Sequence, residues 1–336
     1  MTFAATLLHW YARHGRDLPW RQTRDPYAIW LSEIILQQTR IVQGTDYWHR
    51  FMQAWPKVEQ LAKATEDEVL RMWQGLGYYS RARNLHAAAR QIAALGHFPD
   101  TYKEILGLKG VGPYTAAAIA SFAFDLPHAV VDGNVYRVLS RHFGIDTPID
   151  TTQGQRLFQS LAQELLPPAQ ASAYNQAIMD FGALQCTPNA PDCTACPLLT
   201  TCQAAHDGTA NTLPVKQGKI KIRHRRLIYI LVSHNGSIAI HRRSAGDIWQ
   251  GLWEPFLTEV PMDASPRLPL WAKEAVLVRH DVKHVLTHQV LHADCYTLSC
   301  TQKPALPSDY IWVRHEDLNQ YGIPRLVERL IEETPR

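Results

Sequence analysis

The sequence predicts a two-domain protein in which an all-α domain is followed by an α+β domain. Its 336 residues exceed the length of one ordinary compact domain. Apolar residues recur at three- and four-residue spacing up to about residue 205, whereas short runs rich in β-branched residues prevail after residue 227. Residues 206–226 combine turn residues with six lysines and arginines and lack apolar periodicity. They are therefore predicted to form a basic interdomain linker.

The first domain, residues 1–205, is predicted to be helical because glycines and a proline pair separate its stretches of helical periodicity. Glycine and proline interrupt helices, so each stretch between them is typical of one helix. The stretches are residues 28–42, 57–73, 82–95, 114–124, 134–143 and 155–166.

The second domain, residues 227–336, contains short runs that are typical of strands and one stretch that is typical of a helix, at Arg325–Glu333. The strands are predicted at LIYILVS, SIAIHRR, EAVLVR and DCYTLSC. Strands and a helix within one domain predict the α+β class.

The composition is that of an ordered globular protein, with 46% hydrophobic and 19% charged residues. A net charge of +3 permits a polyanionic partner without requiring one. The first residues lack the basic and apolar regions of a secretory signal, and no apolar run approaches the roughly 18 residues that span a bilayer. We therefore expect a soluble, cytoplasmic protein.

Four of the six cysteines fall within seventeen residues, in the pattern C-x6-C-x2-C-x5-C. In a reducing compartment, cysteines that cluster this tightly more often hold a metal than form disulfides. Four thiolates at this spacing can bind one zinc ion or one [4Fe-4S] cluster, and the spacing alone does not distinguish the two. Four unrelated cysteines are the remaining alternative. The predicted ligands are Cys186, Cys193, Cys196 and Cys202.

The segment LGLKGVGPYTAAA, residues 106–118, predicts a tight hairpin followed by a helix. Gly110 and Gly112 flank Val111, and Pro113 occupies the first turn of the following helix. Glycines let the backbone approach a phosphate closely, and the free N–H groups at the start of a helix favour an anion. The segment therefore predicts sequence-independent binding of a DNA strand, with an ordinary glycine-rich helix connection as the alternative.

Both features resemble the helix-hairpin-helix DNA glycosylases of the endonuclease III superfamily. The resemblance implies a [4Fe-4S] cluster rather than zinc as the cofactor, and double-stranded DNA as the partner. Members that also cut the DNA strand carry a lysine two residues after the second hairpin glycine, where it forms a Schiff base with the sugar. Tyr114 stands at that position here, and neither Lys109 nor Arg137 replaces the lysine by position. Base removal without efficient strand cleavage is therefore predicted.

Breaking an N-glycosidic bond calls for one carboxyl group that protonates the base and another that faces the cationic sugar. Glu33 lies among apolar residues in WLSEIILQQT, where burial raises a carboxyl pKa; a solvated helix face is the alternative. Asp132 precedes a predicted helix, a typical N-cap position, and a capped aspartate stays ionised. We therefore expect Glu33 to be the general acid and Asp132 to be the electrostatic stabiliser.

From residue 3 to about residue 205 the resemblance is specific to the adenine DNA glycosylases, the MutY branch of this superfamily. It implies that Glu33 protonates adenine and later activates water, that Asp132 stabilises the sugar cation, and that Tyr114 and Asn134 support the site. Six motifs carry it: RDLPWR (16–21), DPYAIWLSEIILQQT (25–39), WQGLGYYSRARNL (73–85), GVGPYTAAAI (110–119), VDGNVYRVLSR (131–141) and YNQAIMDFGALQC (174–186). The residues it assigns to the wall of the adenine pocket are Arg16, Trp20, Arg21, Leu36 and Asp180.

The GLGYY turn and the LQQT run resemble the group that enters the base stack opposite the extruded adenine in this branch. The residues concerned are Tyr78, Tyr79 and Gln38. A planar side chain that fills the gap left by a flipped base recovers part of the unstacking energy. Two tyrosines in a core turn are the structural alternative.

The second domain resembles the C-terminal domain of this branch, which has a Nudix-like fold and recognises oxidised guanine. The segment SAGDIWQGLWEPF (244–256) carries the likeness, and Leu286-Thr287-His288 stands where the family often has Phe-Ser-His. Thr287 and His288 are expected to contact DNA, whereas Leu286 removes an aromatic wedge. Nucleotide hydrolysis is rejected because no RExxEE metal-binding helix occurs in residues 227–336.

The sequence thus predicts a bacterial base excision repair enzyme, a monomer on DNA, that removes adenine paired with 8-oxoguanine or guanine. A bifunctional glycosylase/lyase, the first alternative, would need an amine where Tyr114 stands. A non-catalytic, zinc-structured DNA-binding protein, the second, would leave Glu33 and Asp132 without a role. The basic run 216–226 either contacts the DNA backbone or is a solvated linker.

Overall fold

A computed structural model describes residues 1–218 and 221–332. Parts of the predicted linker and of the predicted C-terminal domain, including the last residue of the predicted helix Arg325–Glu333, lie outside the described residues. The chain divides into two compact units. The first unit comprises Met1–Lys63 and Ala87–Gly218, and the second comprises Ala64–His86 and the residues after Gly218.

Helices make up the first two hundred residues, and the predicted all-α class is confirmed there. Numbered in chain order, they are α1 (Phe3–His14), α2 (Pro26–Ile35), α3 (Ile41–Ala54), α4 (Val58–Lys63), α5 (Glu66–Met72), α6 (Ser80–Leu95), α7 (Tyr102–Leu106), α8 (Pro113–Phe124), α9 (Gly133–Phe143), α10 (Thr152–Leu165), α11 (Ala171–Leu184) and α12 (Gln203–His206). None of the described helices is long and apolar enough to span a bilayer.

Two of the predicted helical stretches are each divided in the structure. Stretch 28–42 becomes α2 and α3 because Gln38, with a φ of 57°, adopts a left-handed conformation that an α-helix does not contain. Stretch 57–73 becomes α4 and α5 because Thr65 starts a new helix with a capping box, in which its hydroxyl and the carboxylate of Glu68 bind each other's backbone N–H. The apolar spacing continues across both breaks, so it did not reveal them.

The core of the first unit lies between α1, α9, α10 and α11. Leu7, Trp10, Phe158 and Phe181 are almost completely buried within it, and the Trp10 ring meets the edge of Phe181 at 5.1 Å between ring centroids. Helix α2 is also central, because every residue from Tyr27 to its end is buried. Its start is fixed by the Asp25 side chain, which accepts a hydrogen bond of 3.0 Å from the N–H of Tyr27.

The second unit is built on a seven-stranded mixed sheet with a C-terminal helix, which confirms the predicted α+β class. The elements are β1 (Arg223–His234), β2 (Ser237–Arg242), β3 (Trp253–Glu254), β4 (Phe256–Val260), β5 (Val276–Val285), β6 (Gln289–Ser299), β7 (Tyr310–Arg314) and α13 (Arg325–Glu332). Strand β1 pairs in parallel with β6, while the other strand pairs are antiparallel. The strand order is β3-β2-β1-β6-β5, and in addition β4 pairs with β1 and β7 pairs with β2.

Strand β1 is buried on both faces, as a central strand with a parallel neighbour must be. Leu227, Tyr229 and Leu231 face one core, which includes apolar residues of α13, and Ile230 and Val232 face a second core. The alternation of odd and even positions follows from the two-residue period of a strand.

Strand β1 begins at Arg223, inside the segment that the sequence assigned to the linker. Arg225 is 5% exposed and forms two-pronged hydrogen bonds with Asp247, at 2.7 Å each. Arg226 pairs with Asp294 at 2.8 Å. These arginines therefore neutralise carboxylates of their own sheet, a role that a run of basic residues does not reveal in sequence.

Residues 64–86 cluster with the second unit, although the sequence placed them in the first domain. Side-chain contacts explain this. Arg83 donates a hydrogen bond of 2.5 Å to the backbone carbonyl of Gln250, Arg242 pairs with Glu66 at 3.0 Å, and Gln74 contacts Glu328. These pairs are more than 160 residues apart in sequence, and local patterns carry no information about them.

Candidate active site

A cavity of about 760 Å³ in the first unit brings the predicted catalytic residues together with most of the predicted adenine-pocket residues. Its lining contains both predicted catalytic carboxyl groups, the two predicted supporting residues and four of the five predicted pocket residues. These are Glu33, Asp132, Tyr114, Asn134, Arg16, Trp20, Arg21 and Leu36, and Gln38 lines the cavity as well. The volume is in the range of pockets that enclose a small organic group such as a base.

Glu33 is 7% exposed, on the buried helix α2, which rules out the solvated helix face. Burial raises its pKa to about 7, and the hydrogen bond from Tyr114 and the charge of Arg21 oppose that rise. The Tyr114 hydroxyl donates to Oε2 of Glu33 at 3.1 Å. Glu33 is therefore a carboxyl group that can both hold and release a proton near neutral pH.

Asp132 is the N-cap of α9, as the sequence predicts. Its Oδ1 accepts hydrogen bonds from the N–H groups of Asn134 and Val135 at 2.9 and 2.8 Å, and its Oδ2 accepts one of 2.8 Å from the Asn134 side chain. Burial raises the pKa of Asp132 above its ordinary value, and these hydrogen bonds and the charge of Arg137 oppose that rise without cancelling it. Four groups thus stabilise the ionised form of a carboxylate that lines the same cavity as Glu33.

Asn134 is held in turn by Arg137, whose guanidinium donates a hydrogen bond of 2.8 Å to its Oδ1. The same guanidinium binds the backbone carbonyls of Gly182 and Cys186, at 2.5 and 2.7 Å. Arg137 is 8% exposed and does not line the cavity. It is therefore occupied in supporting the site and does not offer an amine to a substrate.

Asp180 lies behind the cavity wall rather than in it, which differs from the predicted place in the wall. It is completely buried and accepts hydrogen bonds from Arg21 at 2.7 and 2.9 Å and from the backbone N–H of Arg16 at 2.9 Å. It also binds the Arg16 guanidinium. The guanidinium groups of Arg16 and Arg21 bind this carboxylate in the interior. Asp180 therefore contributes to the cavity by positioning these two arginines.

Three further polar residues line the cavity and were missed by the sequence reading: Tyr11, Gln176 and Ser172. The Tyr11 hydroxyl donates a hydrogen bond of 2.8 Å to Oε1 of Gln176, whose Nε2 donates to the Ser172 hydroxyl at 3.1 Å. Tyr11 and Gln176 are 165 residues apart. Gln176 lies in the YNQAIMDFGALQC motif, and its place in that motif is the sequence feature that could have indicated a role in the site.

The predicted hairpin lies between α7 and α8. Gly110 has a φ of 76°, which favours glycine, and Val111 is buried. Gly112 is the N-cap of α8, and an added Cβ there would meet no atom within 4 Å. Its backbone is therefore open to an approaching group at a helix start, as an anion site requires.

The four clustered cysteines follow α11 and line one small cavity in the first unit. Burial raises the pKa of Cys196 to about 11, and the three other thiols add to the rise, so the sulfurs lie near one another. The buried Arg141 donates hydrogen bonds to Cys186 Sγ at 3.4 Å and to the Thr187 carbonyl at 2.7 Å. Within the described residues no group of three such side chains converges closely enough to hold a single metal ion.

The predicted DNA-contacting residues of the second unit lie around a second cavity, of about 470 Å³. Thr287 and His288 form the turn between β5 and β6, and the Thr287 hydroxyl is hydrogen-bonded to that of Tyr78. Tyr78 is 43% exposed, whereas Tyr79 is only 5% exposed. The exposed ring of Tyr78 is thus available for stacking, and Tyr79 belongs largely to the core.

Comparisons with known proteins agree with this geometry. Residues 31–164 match the family described as HhH-GPD superfamily base excision DNA repair protein, and residues 227–333 match the NUDIX domain. The chain is 46% identical over 213 residues to the adenine DNA glycosylase of Mus musculus, covering 60% of this chain but only 41% of that protein. It is 30% identical over 339 residues to the adenine DNA glycosylase of Buchnera aphidicola subsp. Baizongia pistaciae, covering 98% and 96% of the two chains.

Two solved structures share the fold of the helical part. A thermostable thymine-DNA glycosylase is 32% identical, with a TM-score of 0.57 over 61% of this chain and 95% of that chain. Endonuclease III in a non-covalent complex with DNA is 21% identical, with a TM-score of 0.53. The helical fold is therefore the helix-hairpin-helix glycosylase fold, and it is followed by a Nudix-like domain. With near full-length similarity to the Buchnera protein, the chain belongs to the adenine DNA glycosylase family of base excision repair proteins.

Proposed function

We propose that the protein hydrolyses the N-glycosidic bond of adenine opposite 8-oxoguanine, or guanine, in duplex DNA and leaves the DNA strand uncut. The observation that carries the proposal is Glu33, a buried carboxyl with a pKa of about 7 in the same cavity as Asp132. Glu33 accepts a hydrogen bond from Tyr114, whereas Asp132 accepts three hydrogen bonds at the start of α9. Two carboxyl groups in such different surroundings are suited to an acid role and a charge-stabilising role.

In the proposed reaction, protonated Glu33 transfers its proton to a ring nitrogen of the flipped adenine. The bond between the sugar carbon and the base then breaks, and its electron pair stays with the neutral base, leaving a cationic sugar. The Asp132 carboxylate, oriented by its backbone hydrogen bonds, stabilises that cation. Glu33, now ionised, accepts a proton from the water that attacks the sugar carbon, and this step restores the initial state.

The strand stays uncut in this proposal because the cavity offers no amine for a Schiff base. Among the described residues that line it there is no lysine, and Tyr114 is the hydrogen-bond donor of Glu33. Burial holds the pKa of Tyr114 well above its ordinary value, so its hydroxyl remains protonated. The lyase alternative therefore has no nucleophile at this position.

The four cysteines fit a [4Fe-4S] cluster by their chemistry. They are soft ligands that line one cavity, where a bound cation would favour their deprotonated form. The four thiols line one small cavity, and the resemblance to the endonuclease III superfamily favours a [4Fe-4S] cluster over zinc. When bound, the cluster would order the loop at residues 186–202, which Arg141 of α9 already contacts.

Recognition of 8-oxoguanine is assigned in this proposal to the second unit. The Tyr78 ring provides a stacking surface, and Thr287 and His288 provide polar groups beside it. Nucleotide hydrolysis is not proposed, because carboxylates of this unit are engaged by arginines: Arg243 pairs with Glu254 at 2.6 Å, and Arg225 pairs with Glu259 at 2.6 Å. Such carboxylates are not free to bind a metal ion.

The test is incubation with an end-labelled duplex that contains adenine opposite 8-oxoguanine, analysed with and without a final alkali step. Product after alkali alone supports base removal without strand cleavage, since alkali cuts the strand at an abasic sugar. Strong cleavage without alkali would contradict the absence of lyase activity. No product in either lane would contradict the substrate, and a guanine-containing partner strand measures the preference for the oxidised base.

A further inference from the structure

Two histidines on neighbouring strands of the sheet face each other in the second unit, and neither lines the catalytic cavity or the second cavity. Nδ1 of His224, on β1, lies 3.1 Å from Nε2 of His292, on β6, and the two rings are tilted by 31°. The two strands pair in parallel with His292 opposite Arg226, so alternate residues of both strands share one face. The backbone ladder therefore holds the two rings side by side.

A carboxylate determines where the hydrogen of His292 lies. Oδ1 of Asp281, on β5, is 2.6 Å from Nδ1 of His292. This hydrogen bond holds the pKa of Asp281 below its ordinary value, so the carboxyl is ionised and can only accept. Nδ1 of His292 therefore carries the hydrogen, and in the neutral ring Nε2 carries the lone pair. The nitrogen that faces His224 is thus the one that can bind a cation.

Asp281 is held in place by an irregular part of β5. The pairing register between β5 and β6 shifts within residues 279–282, and Asp281 has a φ of 49°, in the left-handed region. Its backbone N–H donates a hydrogen bond of 2.9 Å to Oδ1 of Asp294. Its second carboxylate oxygen lies 3.8 Å from Nζ of Lys283, which leaves Oδ1 for His292. The carboxylate is therefore fixed by contacts outside the histidine pair.

The distance between the two facing nitrogens is that of neighbouring ligands on one metal ion. Metal–imidazole bonds are about 2.0 to 2.1 Å long, so two such ligands stand about 2.9 to 3.4 Å apart in octahedral or tetrahedral coordination. A ligating histidine usually donates its other ring N–H to a carboxylate, as His292 does to Asp281. Without a metal ion the facing nitrogens share a hydrogen, and a metal ion that displaces it binds both lone pairs.

We propose that His224 and His292 bind one divalent transition-metal ion of the class that prefers imidazole, with Asp281 as the carboxylate that orients His292. Across the described part of the chain, no group of three potential ligands converges on one point, so water completes the coordination shell. The ion would connect β1 to β6 within the sheet. It takes no part in the proposed hydrolysis, because neither histidine lines the catalytic cavity.

The experiment is a calorimetric titration of the purified full chain with nickel(II) chloride, after dialysis against a chelator. The wild type is compared with His224→Ala, His292→Ala and Asp281→Asn, the last because asparagine tolerates a left-handed φ. His97→Ala is the matched control, since His97 is an exposed histidine of the first unit whose ring contacts the carbonyl of Phe98. The remaining histidines and the cysteines are the same in every protein, so differences in affinity report the pair.

Each histidine variant is expected to raise the Kd of the tightest nickel site at least about tenfold, or about 1.4 kcal/mol, because one of two protein ligands is lost. Asp281→Asn should raise it by about tenfold through the lost orienting charge, and His97→Ala should leave it unchanged. Nickel should also raise the urea midpoint of the wild type and not that of His224→Ala, while urea unfolding without nickel shows that the variants are folded. Nickel affinity that survives either histidine substitution, or that falls equally in His97→Ala, would overturn the site.

Discussion

The Tyr114 hydroxyl donates a hydrogen bond of 3.1 Å to Glu33. Tyr114 occupies the position that holds a lysine in the strand-cutting glycosylases that the sequence resembles. The contact lowers the pKa of a carboxyl that burial raises to about 7. In the proposed mechanism, Tyr114 therefore supports the acid and base role of Glu33 and forms no bond to the sugar. Its side chain lines the cavity, and its hydrogen bond favours the ionised form of Glu33.

The rate of base removal is predicted to fall as the pH rises through about 7, because Glu33 must hold a proton to act as the acid. In Tyr114→Phe the hydrogen bond that lowers the pKa of Glu33 is lost, so the alkaline limb of the profile should shift to higher pH. Single-turnover rates between pH 5.5 and 9 would measure both profiles, roughly spanning the titration of a group near neutrality. A shift to lower pH in Tyr114→Phe would contradict this coupling.

Stability should also depend on the ionisation of Glu33. The pKa of Glu33 is raised on folding, so its protonated form contributes stability that is complete below pH 4.5 and is lost as the pH rises through about 7. Glu33→Gln should therefore gain up to about 3 kcal/mol over the wild type at pH 8 and little at pH 4.5, from about 1.4 kcal/mol for each pKa unit. Denaturant unfolding at the two pH values checks this. An equal difference at both would contradict it.

Asp180 is predicted to be the most sensitive polar residue of the cavity region. In Asp180→Ala the guanidinium groups of Arg16 and Arg21 would lose a completely buried partner, at a cost of about 3 to 5 kcal/mol in the free energy of unfolding. The exposed Asp17, which accepts a hydrogen bond from the Gln22 side chain, provides the control Asp17→Ala, with an expected cost of less than about 1 kcal/mol. Similar losses for the two variants in urea unfolding would contradict the role of Asp180.

The cysteine loop is predicted to hold iron and sulfide. Protein purified without added metal should be brown, and Cys196→Ser should lose iron and show faster proteolysis within residues 186–202, because bound metal orders its ligand loop. Cys300→Ser is the matched control, since Cys300 lies in the second unit, and it should retain its iron. Stoichiometric zinc with no iron in the purified protein would contradict the assignment.

Discrimination of the oxidised base is predicted to depend on the Thr287 hydroxyl. Thr287→Val keeps the side-chain volume but removes the hydrogen bond with Tyr78, so the ratio of adenine removal opposite 8-oxoguanine to that opposite guanine should fall by about fivefold. Thr301→Val, at an exposed turn, is the control. A ratio that stays at the wild-type value in Thr287→Val would contradict this role.

The sequence predicted the parts of the site that depend on local pattern. Glu33 lies among apolar residues, and this apolar run explains why the helix is buried from Tyr27 to its end. Asp132 precedes glycine and asparagine, and the N-cap follows from that order. Both carboxyl groups line one cavity in the folded chain, in agreement with the resemblance to the adenine DNA glycosylases.

Features that depend on distant contacts could not be predicted. Asp180 lies behind the cavity wall because it binds Arg16 and Arg21, which are more than 150 residues away in sequence. Gln176 is hydrogen-bonded to Tyr11, 165 residues away in sequence. Residues 64–86 are grouped with the sheet by contacts such as that of Arg83 with Gln250. No periodicity or spacing in a single sequence encodes which of many polar residues will meet across the fold.

Whether Glu33 is the acid is decided by comparing the wild type and Glu33→Gln on the labelled duplex with adenine opposite 8-oxoguanine. Glutamine keeps the size of the side chain and cannot donate the acid proton, so we expect alkali-dependent product from the wild type and a rate about 10³-fold lower from the variant. Unfolding measurements on the same samples would show that Glu33→Gln is folded. Equal rates for the two folded proteins would contradict the assignment of Glu33 as the acid.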